Sequence, residues 1–210
     1  PGTHTVKTYA VYIPLLQKTG IGSIQVLDST RIGTFSQNDG LFTPMGNYFA
    51  CLGDHFGDGG TFANAGSRMY FGRWFGSNSI VVPNSTIYVV GHLGLSGTLN
   101  TSGSTVYMTG SQANLSISSS DTLVHVAYTD PQGAGTMNMS PNSYIGKMIF
   151  KGSCTFLDSI QCDTAMLANG RSYFFASNRT FRVKKWFDAH GDFCNPILMR
   201  ATQQGQQAKI

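Results

Sequence analysis

Short segments in which apolar and polar residues alternate recur along this chain, as in TLVHVAY and TFRVKKWF. Alternation of this kind is typical of a half-buried β-strand, because successive side chains in a strand point to opposite faces. Turn-forming sequences such as VPNST, TSGST and DPQGAG separate the segments. The candidate strands cover residues 6–16, 23–27, 80–82, 86–90, 105–109, 115–118, 122–128, 145–151, 154–158, 172–176, 180–187 and 196–201.

The acidic residues point to the same class of fold, since all ten are Asp and the 210-residue chain contains no Glu. Glu favours helices and Asp does not. We therefore predict an all-β fold, an antiparallel β-barrel or sandwich with long decorating loops and at most one short helix. That helix would lie in DTAMLANG, capped by Asp163 and ended by Asn169-Gly170.

The length fits one domain, and we predict that residues 1–210 form a single β-rich domain. The chain starts at Pro1 and ends in the polar sequence QQGQQAKI, so we expect it to be excised from a longer protein. No internal repeat is recognised. Residues 33–76 carry few strand signals and are predicted to form large surface loops. No apolar run is long enough to span a membrane, so we expect no membrane insertion.

Two stretches combine aromatic and basic residues, MYFGRWFG and RTFRVKKWFD. Aromatic rings stack on the apolar faces of sugars, and arginine pairs with carboxylates. The flanking glycines in FGRWFG favour a loop or a close backbone approach over a regular core strand. We predict that the ligand-binding residues are Tyr70, Arg73, Trp74, Arg182 and Trp186.

A metal site is a second hypothesis, because CLGDH and HGDFC mirror each other. Cys51, His55, His190 and Cys194 would supply two thiolates and two imidazoles to zinc, although the spacing is not that of a zinc finger. A hydrolytic cluster could use the same region, with Asp54, His55, Asp58, Asp188, His190 and Asp192. No nucleophile motif accompanies these residues, and Asp beside Gly is typical of turns. We therefore predict no cofactor and no enzymatic activity.

Four cysteines and several glycosylation sequons support an alternative, a secreted lectin-like β-sandwich glycoprotein with two disulfides. The cysteines are Cys51, Cys154, Cys162 and Cys194. The sequons begin at Asn84, Asn100, Asn114, Asn138 and Asn178.

The strand-and-turn region HLGLSGTLNTSGSTVYMTGSQANLSIS and the predicted loops of residues 33–76 carry a resemblance to a known class of protein. In overall character the chain resembles the projecting receptor-binding domains of viral coat proteins, most closely the astrovirus capsid spikes. The resemblance implies a β-barrel core with decorating loops, and a dimer.

We therefore predict an attachment domain on the virion surface, or alternatively an extracellular one. It would bind a host receptor, glycan or protein, and self-associate as a dimer or trimer. No RNA-binding signature is present, so nucleic acid is not expected as a partner.

Overall fold

The computed structural model describes residues 2–76, 79–118, 122–141 and 143–203, together with Gln207 and Lys209. Pro1 and most of the QQGQQAKI tail, on which the expectation of an excised domain rests, lie outside the described residues. The described residues form strands and turns and contain no helix. In this part of the chain, accordingly, no helix could cross a membrane.

The described residues form 22 strands, numbered in chain order. Their bounds are β1 Thr3–Val6, β2 Tyr12–Lys18, β3 Ser23–Val26, β4 Thr30–Gln37, β5 Leu41–Pro44, β6 Tyr48–Gly57, β7 Thr61–Ala63, β8 Arg68–Gly76, β9 Ser79–Val81, β10 Thr86–Val89, β11 His92–Leu95, β12 Leu99–Asn100, β13 Thr105–Met108, β14 Asn114–Ile117, β15 Thr122–Tyr128, β16 Ala134–Met139, β17 Tyr144–Phe150, β18 Ser153–Phe156, β19 Ile160–Leu167, β20 Ser172–Phe175, β21 Phe181–Asp188 and β22 Leu198–Ala201.

These strands wind into a parallel β-solenoid of about nine turns. A six-stranded sheet has the order β1-β3-β5-β7-β9-β12. A sixteen-stranded sheet forms the rest of the wall, where long strands β4, β6 and β8 lead into two branches. One branch continues through β10, β13, β15, β17, β19 and β21, and the other through β11, β14, β16, β18, β20 and β22.

The parallel pairing overturns the predicted antiparallel barrel or sandwich, although the all-β prediction is confirmed. Each strand pairs with the strand one turn later, so that Tyr12 lies beside Arg31 and Thr86 beside Thr105. Alternation and turn residues are common to both arrangements, so they could not distinguish them.

The spacing between paired residues reveals the internal repeat that the sequence analysis did not recognise. It is visible in a column of corner glycines at Gly33, Gly53, Gly72, Gly91 and Gly110. A Cβ added to Gly72 would lie 2.4 Å from the carbonyl oxygen of Leu52, on the previous turn. Only glycine permits this approach, so the corner can recur in successive turns.

The interior is a continuous apolar column. It is formed by side chains at alternate positions of each strand, which point inward. At its centre Phe35 and Phe42 lie 4.3 Å apart between ring centroids, and Phe42 stacks on Phe62 at 5.8 Å. Each fully buried aromatic side chain of this kind contributes about 1.5–3 kcal/mol relative to an exposed one. Stacking of identical positions on consecutive turns thus stabilises the solenoid.

Two further predictions are wrong. Residues 33–76 are not surface loops, because strands β4 to β8 cover most of them and contribute much of the aromatic core. The helix expected in DTAMLANG is instead strand β19, which pairs with β17 on one side and β21 on the other. Backbone pairing to two neighbours outweighs the helix propensity of Ala, Met and Leu.

Candidate functional site

Strand β8 carries the FGRWFG sequence, and its alternation decides which residues reach the surface. Trp74 points inward with 1% of its surface exposed, and its ring lies 4.1 Å from that of Phe71. The prediction that Trp74 contacts a ligand is therefore wrong. Tyr70 and Arg73 do face outward, and so does Phe75, which the sequence analysis did not select.

Arg73 is paired with Asp54 on the preceding turn. Its Nε lies 2.7 Å from Oδ1 and its Nη2 lies 2.8 Å from Oδ2, a two-pronged ion pair on the outer surface. The pair follows from the register, which places Asp54 directly beside Arg73. The guanidinium fork is thus largely occupied by a side chain of the protein itself.

An outward aromatic stack lies beside this ion pair. Phe56 and Phe75 occupy consecutive turns, with ring centroids 5.7 Å apart and planes 9° from parallel. The imidazole of His92 follows at 4.9 Å from Phe75. Burial and the nearby Arg73 charge lower the pKa of His92, so the ring is neutral at pH 7.

The outward column that contains Phe56 and Phe75 has no side chain at Gly94. The outward column runs from Phe56 through Phe75 and Gly94 to Ser116, so one turn in it has no side chain. A groove of about 440 Å³ opens at this position. We call it the Gly94 groove; it is lined by Gly57, Asp58, Phe75, Gly76, His92, Gly94, Leu95, Ser96, Ser116 and Ser118.

Tyr70 belongs to a different outward surface. It stacks between Tyr48 and Tyr88, at centroid distances of 5.3 and 4.6 Å, and Tyr107 follows at 5.1 Å from Tyr88. The guanidinium of Arg31 lies 5.9 Å from the Tyr48 ring. This tyrosine stack is half-buried, and its rings pack against one another.

Arg182 and Trp186 lie on β21, six turns from β8. At about 4.8 Å per turn, that separation is about 30 Å. The structure therefore does not bring them together with Tyr70 and Arg73 in one site. Both are exposed, and 60% of the Trp186 surface is accessible.

The four residues proposed for zinc are also separated. Cys51 and His55 lie in β6, whereas His190 and Cys194 follow β21, about 30 Å away along the axis. The Cys51 thiol is buried and donates to the carbonyl oxygen of Asp54 at 3.2 Å, and burial raises its pKa to about 12. Within the described ranges, no three His, Cys or Asp side chains are grouped to hold a metal ion.

The predicted Asp/His hydrolytic cluster is dispersed as well. His55 is enclosed by aromatic rings, and Asp58 lies at the Gly94 groove. Asp188 pairs with His190 at the other end of the solenoid. Asp192 accepts the backbone N–H of Cys194 at 2.9 Å, which is a turn contact. No shared reaction centre is formed by these side chains.

The cysteines are present as four free thiols. Three of them are buried and only Cys194 is exposed. Two of the sequons begin in turns with positive φ, at Asn84 and Asn178. The sequon asparagine of β14, Asn114, accepts a hydrogen bond from the Thr136 hydroxyl.

The groove residues Phe75, His92 and Gly94, and Phe56 of the adjoining stack, were not among the predicted site residues. The signal that identifies them is the spacing of about one turn between Phe56, Phe75 and Gly94, which are 19 residues apart. Once the turn length is known, strand parity places all three on the outer face.

Comparisons with protein-family models, with curated proteins and with solved structures gave no match, and none of them links the chain to viral coat proteins.

Proposed function

We propose that this chain is an attachment module without enzymatic activity, and that it binds a neutral glycan in the Gly94 groove. The observation that carries the proposal is the missing side chain at Gly94 in the outward column, beside Phe75, where the His92 ring alone covers the Phe75 face. A sugar ring that displaces the His92 side chain and stacks on Phe75 would take the place of the missing side chain in the column.

The dimensions of the gap support a single stacked ring. Phe75 and Ser116 are two turns apart, with Gly94 between them, which leaves about 10 Å along the axis. Aromatic rings pack about 3.5–4 Å from the atoms that they contact. One sugar ring therefore fits between Phe75 and Ser116 at the level of Gly94 once the His92 side chain rotates away from Phe75.

The rim of the groove supplies polar partners for sugar hydroxyls. Ser116 and Ser118 each offer a hydroxyl that can donate and accept, and Asp58 offers two acceptor oxygens. The Ser96 hydroxyl donates to the Gly76 carbonyl oxygen at 3.3 Å and can still accept. An apolar floor with a few placed polar groups is typical of small-ligand sites.

The charges of the site favour a neutral sugar over an acidic one. Arg73 donates two of its five N–H groups to Asp54, so the Nε–Nη2 edge is already paired with a carboxylate and the charge of Arg73 is offset by Asp54. Among the residues that line the groove, Asp58 is the one that carries a formal charge, and it is negative. A sialic acid or uronic acid would be repelled by it.

A glycan array tests this proposal with three proteins. We expect wild type to bind neutral glycans and Gly94→Val to lose that binding, because the added side chain fills the groove. A Cβ at Gly94 meets the distal His92 Nε2 at 2.9 Å, an atom that can move, so the variant should still fold.

Ser36→Val is the matched control, since it adds the same side chain to the same column, three turns from Gly94. It should bind as wild type does. Unchanged binding by Gly94→Val, or binding of acidic glycans alone, would refute the proposal. The predicted dimer or trimer stays a prediction, which light scattering tests.

A further inference from the structure

The last turns of the solenoid concentrate positive charge. Nine of the 14 Lys and Arg residues follow position 146, together with four of the ten Asp residues. Several of these basic residues share the outer face formed by β17, β19 and β21. We call this face the C-terminal basic patch, made of Lys147, Arg182, Lys184, Lys185 and Trp186.

A bulge in β21 fixes two of the lysines. The register shifts between Val183 and Trp186, so Lys184 and Lys185 both lie opposite Asp163. Lys185 Nζ donates to Asp163 Oδ2 at 2.8 Å, and the Tyr144 hydroxyl donates to the other oxygen. The hydrogen bonds from Lys185 and Tyr144 lower the pKa of Asp163, which is therefore ionised.

Lys184 is held differently, because its ammonium lies 4.4 Å from the centre of the Tyr144 ring. A cation over an aromatic face keeps its full charge, so this contact orients Lys184 without neutralising it. Asp163 forms its ion pair with Lys185, and the charge of Lys184 also acts on the same carboxylate. Among the described residues, Lys147, Arg182 and Lys184 form no ion pair of their own with a carboxylate.

The patch is ordered by the solenoid geometry. Lys147, Thr164 and Trp186 follow one another in a single outward column, so Lys147 and Trp186 lie about 10 Å apart along the axis. Arg182 precedes Trp186 by four strand positions, which is about 13 Å. Three cations without an ion pair of their own thus lie within about 13 Å of a tryptophan side chain that is 60% exposed.

We propose that the C-terminal basic patch binds an anionic polysaccharide, a sulfated or uronate-rich chain, at a site separate from the Gly94 groove. The proposal extends the proposed glycan attachment but uses other residues. Lys147 lies two turns, or about 10 Å, from the cations of β21, which is close to the length of two sugar units, so a chain with one acidic group per two sugars matches the cations. Trp186 supplies a ring face for a sugar between them.

Duplex DNA fits the patch less well. It carries one charge per about 1.7 Å of axis, so a length of about 10 Å would present about six phosphates to three cations. The net formal charge of +4 for the whole chain also provides little additional attraction. Nucleic acid is therefore the competing outcome of the test.

The experiment measures the affinity of heparin for the full chain over a series of NaCl concentrations. We expect the double variant Arg182→Gln/Lys184→Gln to lose about tenfold in affinity and to depend less on salt. Lys147→Gln, on a different strand, should lose about threefold. The matched control Lys7→Gln/Arg68→Gln removes the same charge from the other end of the solenoid and should change affinity by less than about twofold.

Equal losses in the control and the patch variant would overturn the proposal, as would no loss in either. Single-stranded DNA that binds as tightly as heparin, with the same loss in the patch variant, would also overturn it in favour of nucleic acid. Gly94→Val should keep heparin binding at the wild-type level. If the groove does not bind a glycan, the heparin measurement therefore still tests the C-terminal basic patch.

Discussion

Acidification from pH 7 to pH 5 should destabilise this protein through one buried side chain, His55. Its imidazole is completely buried, with ring centroids 4.7 Å from Phe35, 5.3 Å from Phe62 and 5.3 Å from Trp74. Neither ring nitrogen has a hydrogen-bond partner in the described structure. Burial lowers the pKa of His55 from 6.5 to about 3.

The sign of the effect follows from the lowered pKa. At pH 7 the imidazole is neutral in both the folded and the unfolded chain. Below pH 6.5 the unfolded chain binds a proton that the folded protein cannot accommodate, so stability falls until about pH 3. At pH 5 the loss from this residue is about 2 kcal/mol.

Urea unfolding at pH 7 and pH 5 measures this loss in wild type and in His55→Leu. Leucine keeps the site apolar and similar in volume, so the variant removes the titration and preserves most of the packing. We expect the free energy of unfolding to fall by about 2 kcal/mol more in wild type than in His55→Leu. Other titrating groups are common to both proteins and cancel in the comparison. Equal losses in the two proteins would refute a neutral, solvent-excluded His55.

Three further predictions concern packing and exposure. Trp74→Ala should lower the free energy of unfolding by about 3–5 kcal/mol, whereas Trp186→Ala should change it by less than about 0.5 kcal/mol in the same urea experiment. Gly72→Ala should lower the free energy of unfolding by about 1–3 kcal/mol, because the Cβ of alanine would meet the Leu52 carbonyl oxygen. Thermal unfolding at the wild-type temperature would contradict the corner packing. A thiol reagent at pH 8 should label only Cys194 in the folded protein, and all four cysteines in urea. The other three thiols are buried and their pKa values are raised. Rapid labelling of a second thiol in the folded protein would contradict this burial.

Local sequence patterns predicted the all-β class and some of the strands, but they missed strands β4 to β8 and the parallel arrangement. Runs such as TLVHVAY and the C-terminal TFRVKKWF do form strands β15 and β21. Whether neighbouring strands run parallel depends on the return path of the chain, and alternation does not encode it. The information lay in the period, because Gly33, Gly53 and Gly72 recur once per turn at the same corner.

For the candidate site, too, the sequence predicted some features correctly and others wrongly. Glycines around Arg73 and Trp74 were interpreted as the sign of an exposed loop, but they mark the corner and the inner face of a strand. Arg73 was correctly placed on the surface by that reasoning, and Trp74 was not, since adjacent strand residues point to opposite faces. Phe75 could be assigned to the groove only after the turn length placed it above Phe56.

A crystal structure with a bound neutral oligosaccharide tests the proposed sugar site in the Gly94 groove most directly. The oligosaccharide would be the strongest neutral binder from the glycan array. We predict a sugar ring stacked on Phe75 at the level of Gly94, with hydroxyls near Asp58 and Ser116. A sugar bound to the tyrosine stack of Tyr70 and Tyr88, with the groove empty, would contradict the proposed sugar site at Gly94.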